Sequence, residues 1–281
     1  MAKTVCMAEI VSQTPLGDHI YDMRLSAPQI AAEAGRGQFI SVYTNDKSKI
    51  LPRPISLCEV DKDKGQLRII YRVTGEKTGT EQFSKMQAGD SLKIMGPLGN
   101  RFPLVSEDRK NGDTSGIAGR DVMIIGGGIG VFPLYELAKE AQALASAKSI
   151  SVVLGYRNSN LYIADEFEAL GVRVYIATED GSVGTKGNVC DLLKAYETEG
   201  TPIAADVIYS CGPKPMLRAI KTYAEEKNIE CYVSLEERMA CGIGACLACV
   251  CQTSEVDDHS HVKNARICKD GPVFAAREVE L

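Results

Sequence analysis

The sequence predicts a multi-domain chain: an antiparallel β domain, an α/β domain built on a parallel sheet, and a small C-terminal segment too poor in apolar residues to fold alone. Three observations point there. Short runs of alternating polar and apolar residues fill the first part of the chain, apolar runs and helix-like runs take turns through its middle, and five of the ten cysteines crowd into the last forty-one positions. A length of 281 residues leaves room for two compact domains and an appendage.

The first domain, expected over residues 1–104, carries the runs VCMAEIV, YDMRLSA, QFISVYT, GQLRIIYRV and DSLKIMG, separated by Gly, Pro, Asp and Asn. Evenly spaced short strands of this kind build an antiparallel barrel or sandwich. Residues 106–121, SEDRKNGDTSGIAGRD, lack periodicity and read as a linker or exposed loop. The second domain, expected over 105–231, interleaves DVMIIGG, SISVVLGYR, VRVYIAT and ADVIYSCG with the helical FPLYELAKEAQALASA, ADEFEALG, NVCDLLKAYETEG and KPMLRAIKTYAEEKN. That alternation belongs to a parallel sheet flanked by helices. In residues 232–281 a bound metal cluster would supply the cross-links that the missing core does not.

Composition narrows the function classes. The longest apolar stretches, such as 122–125 and 152–154, are far too short to span a bilayer, so no membrane segment is expected. The start, MAKTVCMAEIVSQ, lacks the basic segment and apolar run of an export signal, and a cytoplasmic protein is expected. A net charge of -5 and a pI near 5.4 give no field for gathering phosphate backbones, which argues against nucleic acid as a partner.

The strongest chemical signal is Cys241, Cys246 and Cys249 in CGIGACLAC, with Cys268 following after eighteen intervening residues. Four-then-two spacing with a distant fourth thiol is the plant-type [2Fe-2S] pattern, whose Gly-rich loop turns tightly around the sulfurs; Gly242 and Gly244 suit it. Zinc is the competing reading, but structural zinc sites usually divide their ligands between two short knuckles. Cys251 falls outside the pattern and reads as a small apolar residue. A second signal is IIGGGIGVFP at 124–133, a strand running through Gly126, Gly127, Gly128, Ile129 and Gly130 into a helix. Glycines there let a dinucleotide pyrophosphate approach the free N–H groups of the helix start, although a purely structural strand–turn–helix needs glycine too. A third is SCGPKPM at 210–216, at the C-terminal end of the domain's last strong strand, where open α/β sheets bind ligands. Gly212, Pro213 and Met216 are candidates for the same nucleotide. Cys211 is the candidate catalytic residue beside a nicotinamide ring; no proton chemistry is asked of it, because hydride transfer belongs to the cofactors. In LPRPISL, Arg53 with Ser56 reads on bare physics as an edge-strand arginine following a strand, or as a clamp for a phosphate or flavin edge. His19, and His259 with His261, read as solvated side chains, as do Glu236, Glu237 and Arg238 before the cysteine loop.

Taken in order, RPIS (53–56), IYR (70–72), Gly79 with Thr80, GDSLKIMGPLGNRF (89–102), IIGGGIGVFPL (124–134), CGPKPM (211–216), MACGIGACLACV (239–250) and ICKDGPVF (267–274) resemble the ferredoxin–NADP reductase superfamily. More narrowly they are similar to the electron-transfer subunits of class 1B dihydroorotate dehydrogenase. The resemblance implies an antiparallel β-barrel FAD domain, an α/β parallel-sheet nucleotide-binding domain and a small C-terminal [2Fe-2S] segment. It also implies that Arg53, Pro54, Ile55 and Ser56 contact FAD, with Ile70, Tyr71, Arg72, Gly79 and Thr80 alongside. Two stretches depart from the family pattern, residues 75–80 and the enlarged 106–121.

The implied activity relays electrons from the FMN of a dihydroorotate dehydrogenase catalytic subunit, through the cluster and FAD, to NAD+, in a heterotetramer with two copies of each subunit. FAD stands between because clusters carry single electrons and nicotinamide takes two together. Two other readings stay open: the small FAD/[2Fe-2S] subunit of an NADH-dependent ferredoxin:NADP oxidoreductase or sulfide dehydrogenase, and a non-enzymatic redox sensor or electron carrier, against which the glycine loop speaks. Preference between NAD and NADP rests on groups near the ribose 2′ position, with Arg157 and the residues around Glu179 as candidates.

Overall fold

A computed structural model describes residues 3–17, 19–46, 48–105, 116–256 and 261–281. Most of the expected 106–121 linker, and His259, lie outside the described residues. Alternating runs near the N-terminus form six antiparallel strands, β1 (Thr4–Gly17), β2 (Ile20–Ser26), β3 (Phe39–Val42), β4 (Arg53–Asp61), β5 (Gln66–Arg72) and β6 (Ser91–Leu98). They close in the order β1-β2-β5-β4-β3-β6, a barrel and not a sandwich. Inward-facing Ile10, Met23, Leu25, Ile40, Leu57, Ile69 and Ile94 fill it, while alternate residues of β1 face out, as a period of two requires. RPIS does not follow a strand: it opens β4. Arg53 and Pro54 pair with Val42 and Ser41 of β3, and β5 joins β4 on its other side from Leu57 onward. Two short helices, α1 (Pro28–Glu33) and α2 (Gly79–Ser84), cover the barrel's ends; Pro28 starts α1 and the Thr78 hydroxyl caps α2.

The α/β domain has β7 (Asp121–Gly127), β8 (Ser149–Tyr156), β9 (Arg173–Thr178), β10 (Thr185–Lys186), β11 (Val207–Cys211) and β12 (Glu230–Ser234), with α3 (Leu134–Leu144), α4 (Ala164–Ala169), α5 (Val189–Thr198) and α6 (Lys214–Lys227). Every residue of β7 is buried, because helices cover both faces of a parallel sheet. Val122, Met123, Ile124 and Ile125 are wholly inaccessible, each contributing about 1.5–3 kcal/mol of burial. Asn188 and Asp191 form a reciprocal cap that starts α5, and Asn228 ends α6 in the left-handed conformation. From β7 the chain steps outward through β8, β9 and β10, then returns to lay β11 and β12 on the opposite side. Strand order therefore reverses between β7 and β11, the place where such sheets open a crevice at their C-terminal ends.

The C-terminal segment forms a small hairpin, β13 (Val250–Gln252) with β14 (Asn264–Arg266), and then donates β15 (Val273–Ala275) antiparallel to β12. A single barrel residue clasps it. Asn100 donates to the carbonyls of Asp270 and Val273 at 3.2 and 2.7 Å and accepts the Val273 N–H at 2.9 Å. Two motifs far apart in sequence, GPLGNRF and KDGPVF, thus meet. Buried charge fixes the barrel against the α/β domain. The Arg68 guanidinium, 5% exposed, binds Asp22 of β2 at 2.7 Å and Glu166 of α4 at 2.5 Å, and Arg36 pairs with Glu140 of α3.

Candidate functional site

A cleft of about 680 Å³ opens at the strand reversal. Its floor is the glycine turn that follows β7, and each glycine there answers a different demand. Gly128 has φ +58°, a backbone conformation that side chains resist. A Cβ on Gly130 would lie 2.5 Å from the Cys211 carbonyl oxygen, and one on Gly127 2.5 Å from the Met216 sulfur. Glycine thus lets the β7 turn and the β11 turn close on one another, which brings IIGGGIG and CGPKPM to one site. Ile129 projects from the turn, 36% exposed. Gly212, Pro213 and Met216 share the cleft wall with Arg72 at the end of β5, so both domains line it.

Cys211 itself is 1% exposed and does not line the cleft. Burial pushes its thiol up, and the nearby Glu236 carboxylate adds to that against a hydrogen bond with Ser234; the sulfur is a neutral, packed group at the base of the wall. Glu236 is open to the cleft yet ringed by protein atoms, which raises its carboxyl above the ordinary range. Glu236 and Arg238 are exposed, as the sequence suggests, and Glu237 is half-buried and pairs with Lys214 at the start of α6. Nothing local marks the two glutamates; only the course of β12 carries them to the nucleotide end.

On the barrel side, the Arg53 side chain lies across the start of α2, its Nε 2.9 Å from where a Cβ on Gly79 would be. The Arg53 guanidinium donates to the Leu51 carbonyl at 2.5 Å, and Thr80 Oγ1 accepts the Thr74 N–H at 3.3 Å. RPIS and Gly79-Thr80, separate in sequence, are therefore neighbours. Pro54, Ile55 and Ser56 run opposite Ser41, Ile40 and Phe39. Along IYR the side chains alternate. Ile70 packs toward the α/β domain and Arg72 reaches the cleft. Tyr71 turns into the barrel and is buried there, its hydroxyl bonded to Gln13 at 2.8 Å.

Beyond β12 the four cysteine thiols converge. Cys241 Sγ accepts the N–H groups of Ile243 and Ala245 at 3.4 and 3.3 Å, Cys268 Sγ accepts that of Gly244 at 3.1 Å, and Cys249 Sγ accepts that of Cys268 at 3.4 Å. Positive φ at Gly242 and Gly244 aims these amides inward. Thiol hydrogen bonds group Cys241 with Cys246 and Cys249 with Cys268. Among the described residues no three His, Cys, Asp or Glu side chains surround a single ion; two pairs are what a two-iron cluster takes, two protein thiolates to each iron. Burial alone would raise the Cys241 thiol, but the backbone amides and the Cys246 thiol bring it to about 6, whereas burial and the Cys249 thiol push Cys268 to about 12. Cys251 sits half-buried on β13, opposite Ala265 of β14, and packs against the apolar cluster as a small apolar residue. His261 is exposed.

A barrel, a sheet with a glycine-turned cleft and a four-thiol loop define an oxidoreductase of the ferredoxin-reductase fold, with FAD-binding, NAD-binding and iron–sulfur-binding parts. Family models match accordingly: an oxidoreductase FAD-binding domain over residues 8–102, an oxidoreductase NAD-binding domain over 124–222, and the iron–sulfur cluster binding domain of dihydroorotate dehydrogenase B over 236–280. Relatives named "Dihydroorotate dehydrogenase B (NAD(+)), electron transfer subunit" are 40% identical in Geobacillus sp. (strain WCH70), covering 97% of both chains, and 41% identical in Listeria monocytogenes serovar 1/2a (strain ATCC BAA-679 / EGD-e), covering 97% of this chain and 98% of that one. The chain belongs to the family of dihydroorotate dehydrogenase B electron-transfer subunits. Among solved structures, a chain of an NADH-dependent reduced ferredoxin-NADP oxidoreductase superposes with a TM-score of 0.81 at 27% identity, over 98% of this chain and 90% of that one. A ferredoxin NADP+ reductase from Neisseria gonorrhoeae shares the fold at a TM-score of 0.63 and 15% identity, over 83% of this chain and 94% of that one.

Proposed function

We propose that this chain is the electron-transfer subunit of a dihydroorotate dehydrogenase, carrying electrons from a catalytic partner to NAD+ in pyrimidine biosynthesis. One observation carries the reading: β12 leaves Ser234 beside Cys211 at the nucleotide end, passes Glu236 in the cleft wall, and within a few residues reaches Cys241. The nucleotide cleft and the thiol loop are thus held by one stretch of backbone. When bound, the cluster supplies single electrons and FAD converts them to the pair that nicotinamide accepts as hydride. Cys241, Cys246, Cys249 and Cys268 hold the cluster. Arg53, Pro54, Ile55, Ser56, Ile70, Arg72, Gly79 and Thr80, with the Tyr71 backbone, hold FAD. The turn Gly126 to Gly130 with Gly212, Pro213 and Met216 holds the nucleotide, and Cys211 packs beneath the reacting ring.

The partner in this reading is an FMN-containing catalytic subunit, two copies of each subunit assembling in the cytoplasm, with no nucleic acid or membrane involved. Exposed Ile243, Leu247 and Val250 around the thiols favour a protein neighbour there, all ten cysteines being unpaired fits a reducing compartment, and no helix among the described residues is long and apolar enough to cross a membrane. Identity of about two-fifths to the dihydroorotate dehydrogenase subunits, against 27% to the ferredoxin-NADP oxidoreductase chain, favours dihydroorotate over the alternative electron partner. The reading is tested by turnover: the cofactor-loaded chain oxidises NADH with an artificial acceptor, fails on dihydroorotate alone, and gains that substrate when the catalytic subunit is added. Dihydroorotate oxidation by the isolated chain would sink it.

A further inference from the structure

The turn that presents Cys268 also presents a lysine. The Arg266 carbonyl accepts the N–H groups of Lys269 and Asp270 at 3.0 and 2.8 Å, which fixes where the Lys269 side chain starts. From there its stem folds back over the thiol loop: a Cβ on Gly244 would lie 2.9 Å from Lys269 Cδ and 3.0 Å from Lys269 Cβ. Gly244 is the residue whose N–H donates to Cys268 Sγ at 3.1 Å. Lys269 therefore lies across the amide that serves one of the four sulfurs.

Two other charges near the loop are spent on partners. Arg266 gives its Nε and its backbone N–H to Asp270, both at 2.9 Å, and Glu237, ahead of the loop, pairs with Lys214. Lys269 is exposed and, among the described residues, has no carboxylate partner. It places one uncompensated positive charge beside a loop that also exposes Ile243 and Leu247.

Two ferric ions, two sulfides and four thiolates form a dianion, and reduction adds one further negative charge. A positive charge beside that group favours its reduced form. We propose that Lys269 raises the reduction potential of the [2Fe-2S] cluster and so makes it a better acceptor for single electrons arriving from the partner. The cluster gains one electron for each that the partner's flavin loses, and no bond is made or broken. The inference rests on the four thiols holding that cluster and adds the side chain that sets how readily it is reduced.

The test is a redox titration of the FAD- and cluster-loaded chain without its partner, the reduced cluster being followed by EPR. Lys269→Gln should make one-electron reduction about fivefold less favourable, roughly 40 mV at about 59 mV per tenfold. Lys269→Glu should about double that shift, and Lys269→Arg should restore the native value. At about 1 M salt, where the Debye length is roughly 3 Å, the gap between the native and Gln forms should nearly close. A gap that persists there reports altered packing of the loop and overturns the charge argument. Lys263→Gln is the control for surface charge. The Lys263 carbonyl accepts the Thr253 N–H at 3.2 Å, four residues and roughly 13 Å of strand beyond Cys249, so this variant should shift the potential far less. Lys269→Met, which keeps a stem over Gly244, replaces the Gln form should that form bind less iron. Gln and Met forms with the native potential, or a Lys263→Gln shift as large as that of Lys269→Gln, overturn the assignment. So does an unshifted potential joined to weaker binding of the catalytic subunit, which would make Lys269 a docking residue. A native chain that binds no iron overturns the thiol reading itself, a failure distinct from an unshifted potential.

Discussion

The parallel sheet and the thiol loop hold their working backbone in opposite ways. In β7 all seven residues are buried and the glycine turn beyond is squeezed into shape by neighbouring atoms, among them the Cys211 carbonyl and the Met216 sulfur. The loop from Cys241 onward leaves Ile243 42% and Leu247 60% exposed, and takes its shape from amide hydrogen bonds to sulfur. One site is preorganised by packing density, the other by its polar contacts and by whatever the thiols bind. Each therefore fails for a different reason, and substitutions can separate them.

The largest effect is expected at Cys268. Cys268→Ser takes away a thiolate and the acceptor for the Gly244 N–H, so cluster absorbance and electron traffic to the partner should be almost wholly lost. Hydrogen exchange should then rise in β13 and β14 while β7 stays protected; uniform loss of protection would break the contrast between the two regions. Next comes Arg68→Ala, which strands the Asp22 and Glu166 carboxylates at the interface of barrel and sheet and should cost about 3 kcal/mol in urea unfolding. Cluster spectra of that variant should not change. Gly130→Ala forces a methyl group against the Cys211 carbonyl and should cost about 2 kcal/mol, with KM for NADH raised severalfold and the cluster signal intact. The smallest effect is a pH effect. Lys148, and then Ser149, hold the Asp121 carboxyl at the start of β7 below its ordinary range. Stability from this group is complete above that ordinary range and is lost as pH falls below about 4 through the folded-state value. Asp121→Asn should make acid unfolding of the sheet less steep and leave the profile from pH 6 to 8 flat.

Much of this architecture was legible in the residues. Apolar runs placed β7, β8, β9 and β11, because burial on both faces of a parallel sheet writes itself into consecutive side chains, and the helix-like runs between them placed α3, α4, α5 and α6. The strand carrying RPIS was not legible, since a proline near its start breaks the strand pattern, and it is tolerated because Pro54 pairs with β3 alone, before β5 joins at Leu57. Nor was β15, whose three residues gain strand geometry only by pairing with β12. At the site, the cysteine spacing named the four thiols but not their grouping in twos, which depends on how the Gly242–Gly244 turn folds back. Glu236 was not marked at all, because its surroundings come from β11 and the glycine turn, distant in the chain.

The pairing of β15 with β12 has a consequence for any shortened form of the protein. Deleting the tail would strip β12 of its outer partner, leaving it paired with β11 alone, uncover a row of unpaired amides and carbonyls, and leave the Asn100 side chain without the chain it grips. An uncovered strand of that kind recruits other chains edge to edge. A truncated reductase ending near Glu236 should therefore self-associate, so the tail serves as a guard against aggregation as well as a carrier of electrons.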